Sequence, residues 1–281
     1  MLALSMTGIL WSCGDDDINS DSIFDTSEAE RNTFDTWLLK NYAYPYNIDF
    51  KYRMEDIESD MDYSLTPAEM DKSEKLAKLV KFCWLEAYDE VAGIDFTRAY
   101  VPKIIHLIGS AAYNSDASMV LGTAEGGLKI TLYYVNSLSI DATFLNHFYF
   151  KTMHHEFAHI LNQTKNYGSE FEQVSVGEYI GSDWIYSSES EAHQAGFVTP
   201  YAQSEPDEDF VENIALYVTN TEEYWQALLE DAGDVGAPII EQKFEIVRNY
   251  LKDSWGIEID QLRDVVQRRS GELNLLDLDS L

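Results

Sequence analysis

Cysteine is scarce. Cys13 and Cys83 are the only two in 281 residues, which excludes a framework of structural disulfides. Cationic side chains are also few: 19 Lys and Arg stand against 50 Asp and Glu, a formal net charge of -31. A surface of that sign repels phosphate backbones and anionic lipid, so nucleic-acid binding is disfavoured. The charge is either a solubility coat or a preference for cationic or neutral substrates, and net charge alone does not separate the two. The opening apolar stretch, residues 1–12, is too short to span a bilayer. There is no internal repeat. What is present is the composition of a folded globular chain, 45% hydrophobic and 25% charged. Its length suits one large domain or one catalytic domain with a smaller appendage. Cys83, between Phe82 and Trp84 in a helical pattern, reads as a buried small hydrophobe.

The first 28 residues read differently from the rest. The apolar stretch ends at Ser12, directly before Cys13, as at the cleavage site of a secretory signal. Leu10-Trp11-Ser12-Cys13 resembles a bacterial lipobox, in which the cysteine carries the lipid; Trp11 is unusual there, and a basic start is missing. Gly14-Asp15-Asp16-Asp17 resembles the acidic tether of Bacteroidetes surface lipoproteins. The organisation expected is therefore a signal with lipidated Cys13 over 1–13, a flexible acidic tether over 14–28, and one catalytic-type domain over 29–281. A single acyl anchor would hold such a protein at a membrane without embedding its fold.

Along the domain, a short helix is expected over 28–40, with Phe34, Trp37 and Leu38 on one face, and a strand between Tyr44 and Tyr52. Thr66-Pro67-Ala68-Glu69 has the form of a helix start, with Thr66 as the cap and Pro67 in the first turn. That helix should run to about Val91 and stop at Gly93. Strands are expected at Ile104–Ile108, Met119–Leu121 and Leu128–Val135, with a turn at Ala124-Glu125-Gly126-Gly127. The last strand alternates as a half-buried one does. Asp141 can cap a helix over 142–162. Residues 163–200 show no long periodic run and read as a long loop. Helices are expected from Pro206 to Val218 and through most of 221–270.

The chemistry sits at 155–159, His-Glu-Phe-Ala-His. Positions four apart share a helical face, so His155 and His159 can hold one zinc ion. Glu156 is placed to act on a water that the metal activates. The helix around them is strongly apolar, and polar groups there need partners or they cost free energy. His154 points about 100° away from His155. His106 and His147 read as core or surface residues. His193, alone in the long loop, stays open as a ligand.

A catalytic zinc takes three protein ligands. No third His follows His159 at the short spacing that metzincins use, so a carboxylate from a later helix is expected. Glu208 and Glu212 share a helical face; one can bind the metal while the other orients a ligand histidine, and the choice stays open. Asp209 points elsewhere. Residues 201–212, Tyr-Ala-Gln-Ser-Glu-Pro-Asp-Glu-Asp-Phe-Val-Glu, resemble the second zinc motif of the anthrax lethal factor class of gluzincins. The resemblance implies Tyr201 opposite the oxyanion, Glu208 on the zinc and Glu212 behind a ligand histidine. Asp209 and Val211 depart from the pattern, where an aromatic and a small residue are usual. With the lipobox, the acidic tether, the His-Glu-x-x-His helix and Phe197-Val198-Thr199-Pro200-Tyr201-Ala202 followed by Glu208-Asp209-Phe210, the chain as a whole resembles Bacteroidetes zinc metallohydrolase lipoproteins associated with nutrient import. That implies the cell-surface side of an outer membrane, beside an importer complex.

The fold class expected is α+β: a zincin-like metallopeptidase with a mixed sheet, a motif helix and a mostly helical C-terminal part. The function expected is zinc-dependent hydrolysis of a peptide or protein substrate, with Glu156 and Tyr201 catalytic and the substrate extended along an edge strand near 128–135. The alternative is a non-catalytic lipoprotein that captures peptides or glycans for an importer, with surface aromatics such as Trp184 and Tyr186.

Overall fold

The computed structural model describes residues 30–55, 59–60, 62–113, 119–120, 122–125 and 127–281. Cys13, the lipobox and the tether over 14–28 lie outside them, as do Leu121 and Gly126 of the expected strand and turn.

The described chain opens with α1 (Thr33–Leu38), which passes through a π turn at Leu39–Ala43 into α2 (Tyr44–Tyr46). A reciprocal cap between Asn32 and Asp35 sets its start, later than residue 28. The strand expected from Tyr44 shrinks to β1 (Asp49–Lys51). Tyr44–Tyr46 continue the helix, and Asn47 ends it in the left-handed region at φ 56°. Next, α3 (Met70–Val80), a π turn at Lys81–Leu85 and α4 (Glu86–Ala92) form one rod, which Gly93 stops at φ 86° as the sequence predicts. Thr66 and Pro67 do not start it. Gly109 N–H donates to the Thr66 carbonyl at 2.8 Å, and Pro67 bridges to Ile108. Tertiary pairing outcompetes the local cap and delays the helix to Met70.

After α5 (Ile94–Tyr100) come β2 (Ile104–Leu107), β3 (Ala112–Tyr113), β4 (Met119–Val120), β5 (Gly122–Glu125) and β6 (Lys129–Leu132). β3 and β4 pair only with each other; the main sheet has the order β1-β2-β6-β5. β1, β2 and β6 run parallel, and β5 is antiparallel to β6, with Ala124 opposite Ile130. Two expectations are corrected here. β6 is an inner strand and not the edge along which substrate was expected to lie. Nor is it half-buried: Lys129 and Thr131 are as enclosed as Ile130 and Leu132, because β6 is flanked by β2 and β5 and covered on both faces. Ala124 and Glu125, expected in the turn, belong to β5, which forms the outer edge.

The motif helix follows: α6 (Ala142–Leu145), a π turn at Asn146–Phe150 and α7 (Lys151–Thr164). Asp141 caps it as expected, accepting from Phe144 N–H at 2.9 Å. Residues 163–200 are not one loop. They hold α8 (Glu170–Val174), a 3-10 turn at Gly181–Tyr186 and α9 (Glu189–Gln194). α9 begins on a capping box of Ser188 and Glu191, which is too short a signal to show as periodicity. α10 (Pro206–Thr219), α11 (Glu222–Trp255) and α12 (Ile259–Gly271) complete the chain, with a kink at Gly233 in α11.

One contiguous core joins these parts. Trp84 and Tyr88 of the α3–α4 rod meet Phe157 edge-on, at 5.7 and 4.8 Å between ring centroids. α7 is thereby held from below while α10 packs along it. At Gly236 a Cβ would lie 2.1 Å from the His193 carbonyl, so only glycine lets α11 approach α9 this closely.

Candidate metal centre

α7 and α10 build the site between them. His155 and His159 project from one face of α7, and α10 opposes them with Glu208 in its first turn and Glu212 one turn later. His155 Nε2 and His159 Nε2 are 3.2 Å apart. Glu208 Oε2 lies 3.0 Å from the first and 3.3 Å from the second. Tetrahedral zinc at about 2.0–2.1 Å from each donor sets its ligand atoms about 3.3 Å apart. The triangle has that edge length on all three sides, and two imidazoles with one carboxylate are a donor set that zinc prefers. The residues fit the ion.

Glu212 is placed differently. Its Oε1 accepts from His155 Nδ1 at 2.8 Å, and its Oε2 accepts from Lys151 Nζ at 2.8 Å and Thr199 Oγ1 at 2.6 Å. With Nδ1 donating, the lone pair of His155 Nε2 is turned into the triangle. Geometry thus divides the two carboxylates, Glu208 facing both Nε2 atoms and Glu212 lying behind one ring. Burial would raise the Glu212 carboxyl, but Lys151 and the His155 ring outweigh it and hold it well below the usual carboxylate range. Glu208 is held down at about 2, burial again being outweighed, here by both histidines. His155 reaches about 9 because its bonds to Glu208 and Glu212 overcome its burial. The site therefore attracts a positive charge, proton or metal. Glu156 shifts the other way: burial raises its carboxyl although His155 and His159 pull it down.

Tyr201 is brought to the same place. Its ring lies 5.9 Å from that of His155, and burial and the nearby Glu208 charge raise its hydroxyl above the usual phenol range. Trp184 packs edge-on against Tyr201 at 5.1 Å. The other histidines stay away. His154 points into the core, bonded to Tyr88 at 2.9 Å and pushed down to about 3 by burial. His106 is buried in β2, and His147 is exposed against Phe148. His193, left open as a ligand, instead pairs with Asp231 at 2.7 Å. Asp209 turns from the metal triangle into a fully buried pair with Lys243 at 2.6 Å. Tyr179 donates to it, and Lys243 also donates to the Gly196 carbonyl at 2.9 Å.

Lys151 and Thr199 were not foreseen. Lys151 lies four residues before His155, so helical spacing alone places it on the same face. Thr199 stands in the segment 197–202 that carries the family resemblance, but no spacing in the sequence ties it to Glu212. Cys83 is the small buried hydrophobe expected, its thiol pushed up to about 12 by burial.

Residues 27–260 match the model of a protein family described as "Putative zinc-binding metallo-peptidase". The chain belongs to this family. A crystal structure from Bacteroides caccae, bearing the same description, is 53% identical and superposes with a TM-score of 0.80, covering 92% of this chain and 99% of that one. The α+β zincin-like architecture, with its small mixed sheet and mostly helical C-terminal part, is thus common to both. No curated protein matches the chain.

Proposed function

We propose that the chain is a zinc-dependent peptidase of the gluzincin type in which His155, His159 and Glu208 hold the metal. The observation that carries this reading is the triangle of three donor atoms with separations of 3.0 to 3.3 Å. Zinc held there supplies Lewis acidity toward a scissile carbonyl and makes water nucleophilic near neutral pH. Glu156 takes the proton of the attacking water and returns it to the leaving amine, a task suited to a carboxyl raised by burial. Tyr201 donates to the oxyanion that develops on the carbonyl. Glu212, itself fixed by Lys151 and Thr199, orients His155. An extended substrate pairs with β5, the antiparallel outer strand, since β6 is enclosed.

The apolar start, Cys13 and Asp15–Asp17 support a lipid anchor on the outer-membrane surface, beside an importer complex. Among the described residues no helix is long and apolar enough to cross a membrane.

The test measures zinc and turnover together on the chain lacking residues 1–13. The expected result is one zinc per chain, lost in His155→Ala, His159→Ala and Glu208→Ala. Glu156→Gln should keep the metal and lose about 100-fold or more in kcat. A Glu156→Gln protein as active as the parent would remove Glu156 from the mechanism, and a zinc-loaded parent inert toward every peptide would remove the peptidase reading.

A further inference from the structure

Tyr201 opens a short 3-10 turn, Tyr201–Gln203, and Thr199 stands just before it, buried. The Thr199 hydroxyl makes two buried hydrogen bonds: it donates to Glu212 Oε2 at 2.6 Å and accepts from Ala202 N–H at 3.1 Å. Both directions are fixed by chemistry. A hydroxyl carries one proton, and a carboxylate paired with an ammonium, as Glu212 is with Lys151, can only accept. The proton therefore goes to Glu212, and a lone pair is left for the turn. His155 Nδ1 donates to the other oxygen of the same carboxylate at 2.8 Å. One carboxylate thus holds a ligand histidine with one oxygen and, through a single hydroxyl, the backbone next to Tyr201 with the other. The Tyr201 ring itself lies between His155, at 5.9 Å, and Trp184, at 5.1 Å. Ile180 N–H donates to the Gln203 carbonyl at 2.9 Å and holds the far end of the turn.

We infer that Thr199 is the positioning residue for Tyr201: its hydroxyl registers the Tyr201 turn against Glu212, so that the oxyanion donor and the His155 ring are placed by one group. This role rests on the proposed donation from Tyr201 to the oxyanion. Without the hydroxyl, Ala202 N–H is left buried and unpaired, and the turn must shift to find another partner. Glu212 keeps Lys151 and His155. The loss therefore falls on Tyr201 more than on the metal.

Thr199→Ala and Thr199→Ser differ by the hydroxyl alone. Three quantities are measured on each: zinc affinity by competition with a chelating dye, kcat and KM on a peptide that the parent cleaves, and the Kd of a phosphinic pseudopeptide of the same sequence, whose tetrahedral oxygen stands where the oxyanion forms. Thr199→Ala should lower kcat about 10–100-fold with KM nearly unchanged. It should weaken the pseudopeptide by a similar factor. Zinc affinity should fall by less than the roughly 10-fold that loss of a ligand histidine's own partner costs. Thr199→Ser should recover most of both losses. Tyr201→Phe should lose about 100-fold in kcat, and adding Thr199→Ala to it should cost little more, since both act through one hydroxyl. Should Thr199→Ala melt far below the parent, Thr199→Val keeps the volume and takes its place. A serine variant as slow as the alanine one, or losses that multiply in the double variant, would overturn the assignment while the peptidase reading stands. Tyr201→Phe as fast as the parent would remove Tyr201 from the chemistry, and Thr199 with it. A zinc-loaded parent that cleaves no peptide would remove the peptidase reading first.

Discussion

Glu212 accepts from His155, Lys151 and Thr199 while almost wholly buried. A carboxylate so held acts on the metal through the ring in front of it. Replacing it leaves His155 free to rotate and leaves the Lys151 charge without its partner. Glu212→Ala is expected to weaken zinc binding about 10–100-fold without abolishing it, as read by competition with a chelating dye. An unchanged affinity would mean that the ring is held by packing alone. At this scale the sequence was informative wherever two groups share one helix. Four-residue spacing exposed His155 with His159 and Glu208 with Glu212. It could not say which carboxylate faces the metal, because that depends on how α10 is rotated against α7. Thr199 was invisible for a simpler reason: its hydroxyl meets Glu212 only after the chain between them turns back.

Elements were readable where the capping chemistry is local. Asp141 and Gly93 mark boundaries that the structure keeps, and Pro206 opens α10. Reading failed where another segment competes for the backbone, as at Thr66, or where a strand's place in the sheet decides its burial, as in β6. The start of α1 offers a quantitative check. Asp35 caps Asn32 and also accepts from both ends of the Arg53 guanidinium and from Tyr52. The Arg53 bonds, against partial burial, hold its carboxyl below the ordinary value of 3.8. A depressed carboxyl stabilises the fold above its unfolded value, and that stabilisation is lost as pH falls through the folded value. Asp35→Ala should therefore cost about 1 kcal/mol near neutral pH in urea unfolding. The gap from the parent should narrow progressively below pH 3.8. A gap independent of pH would show that the lost contacts are packing and not charge.

On the scale of the molecule, the donor triangle joins two helices far apart in sequence, so metal binding is linked to folding. Zinc at about 100 times its dissociation constant adds about 2.7 kcal/mol to a fold that alone can bind it. For a domain of this size that is a Tm rise on the order of 5–10 °C. Calorimetry with zinc and with a chelator should show the rise in the parent and not in a His155→Ala, His159→Ala double variant. A parent Tm indifferent to the chelator would mean that α7 and α10 are not joined through metal. The α+β class and the helical C-terminal half were legible from periodicity; the sheet order was not, since parallel pairing joins β1, which ends at Lys51, to β2, which starts only at Ile104 after three intervening helices. Asp209 and Lys243 belong to this scale too, pinning α10 to α11 with no exposure to solvent. Losing either charge alone strands the other, at a cost of about 3–5 kcal/mol, whereas an apolar pair of matching volume is close to neutral. The two positions can therefore be exchanged together but hardly one at a time. Stepwise sequence drift meets a valley there, and a lineage that acquired the pair is held to it by history more than by its contribution to stability.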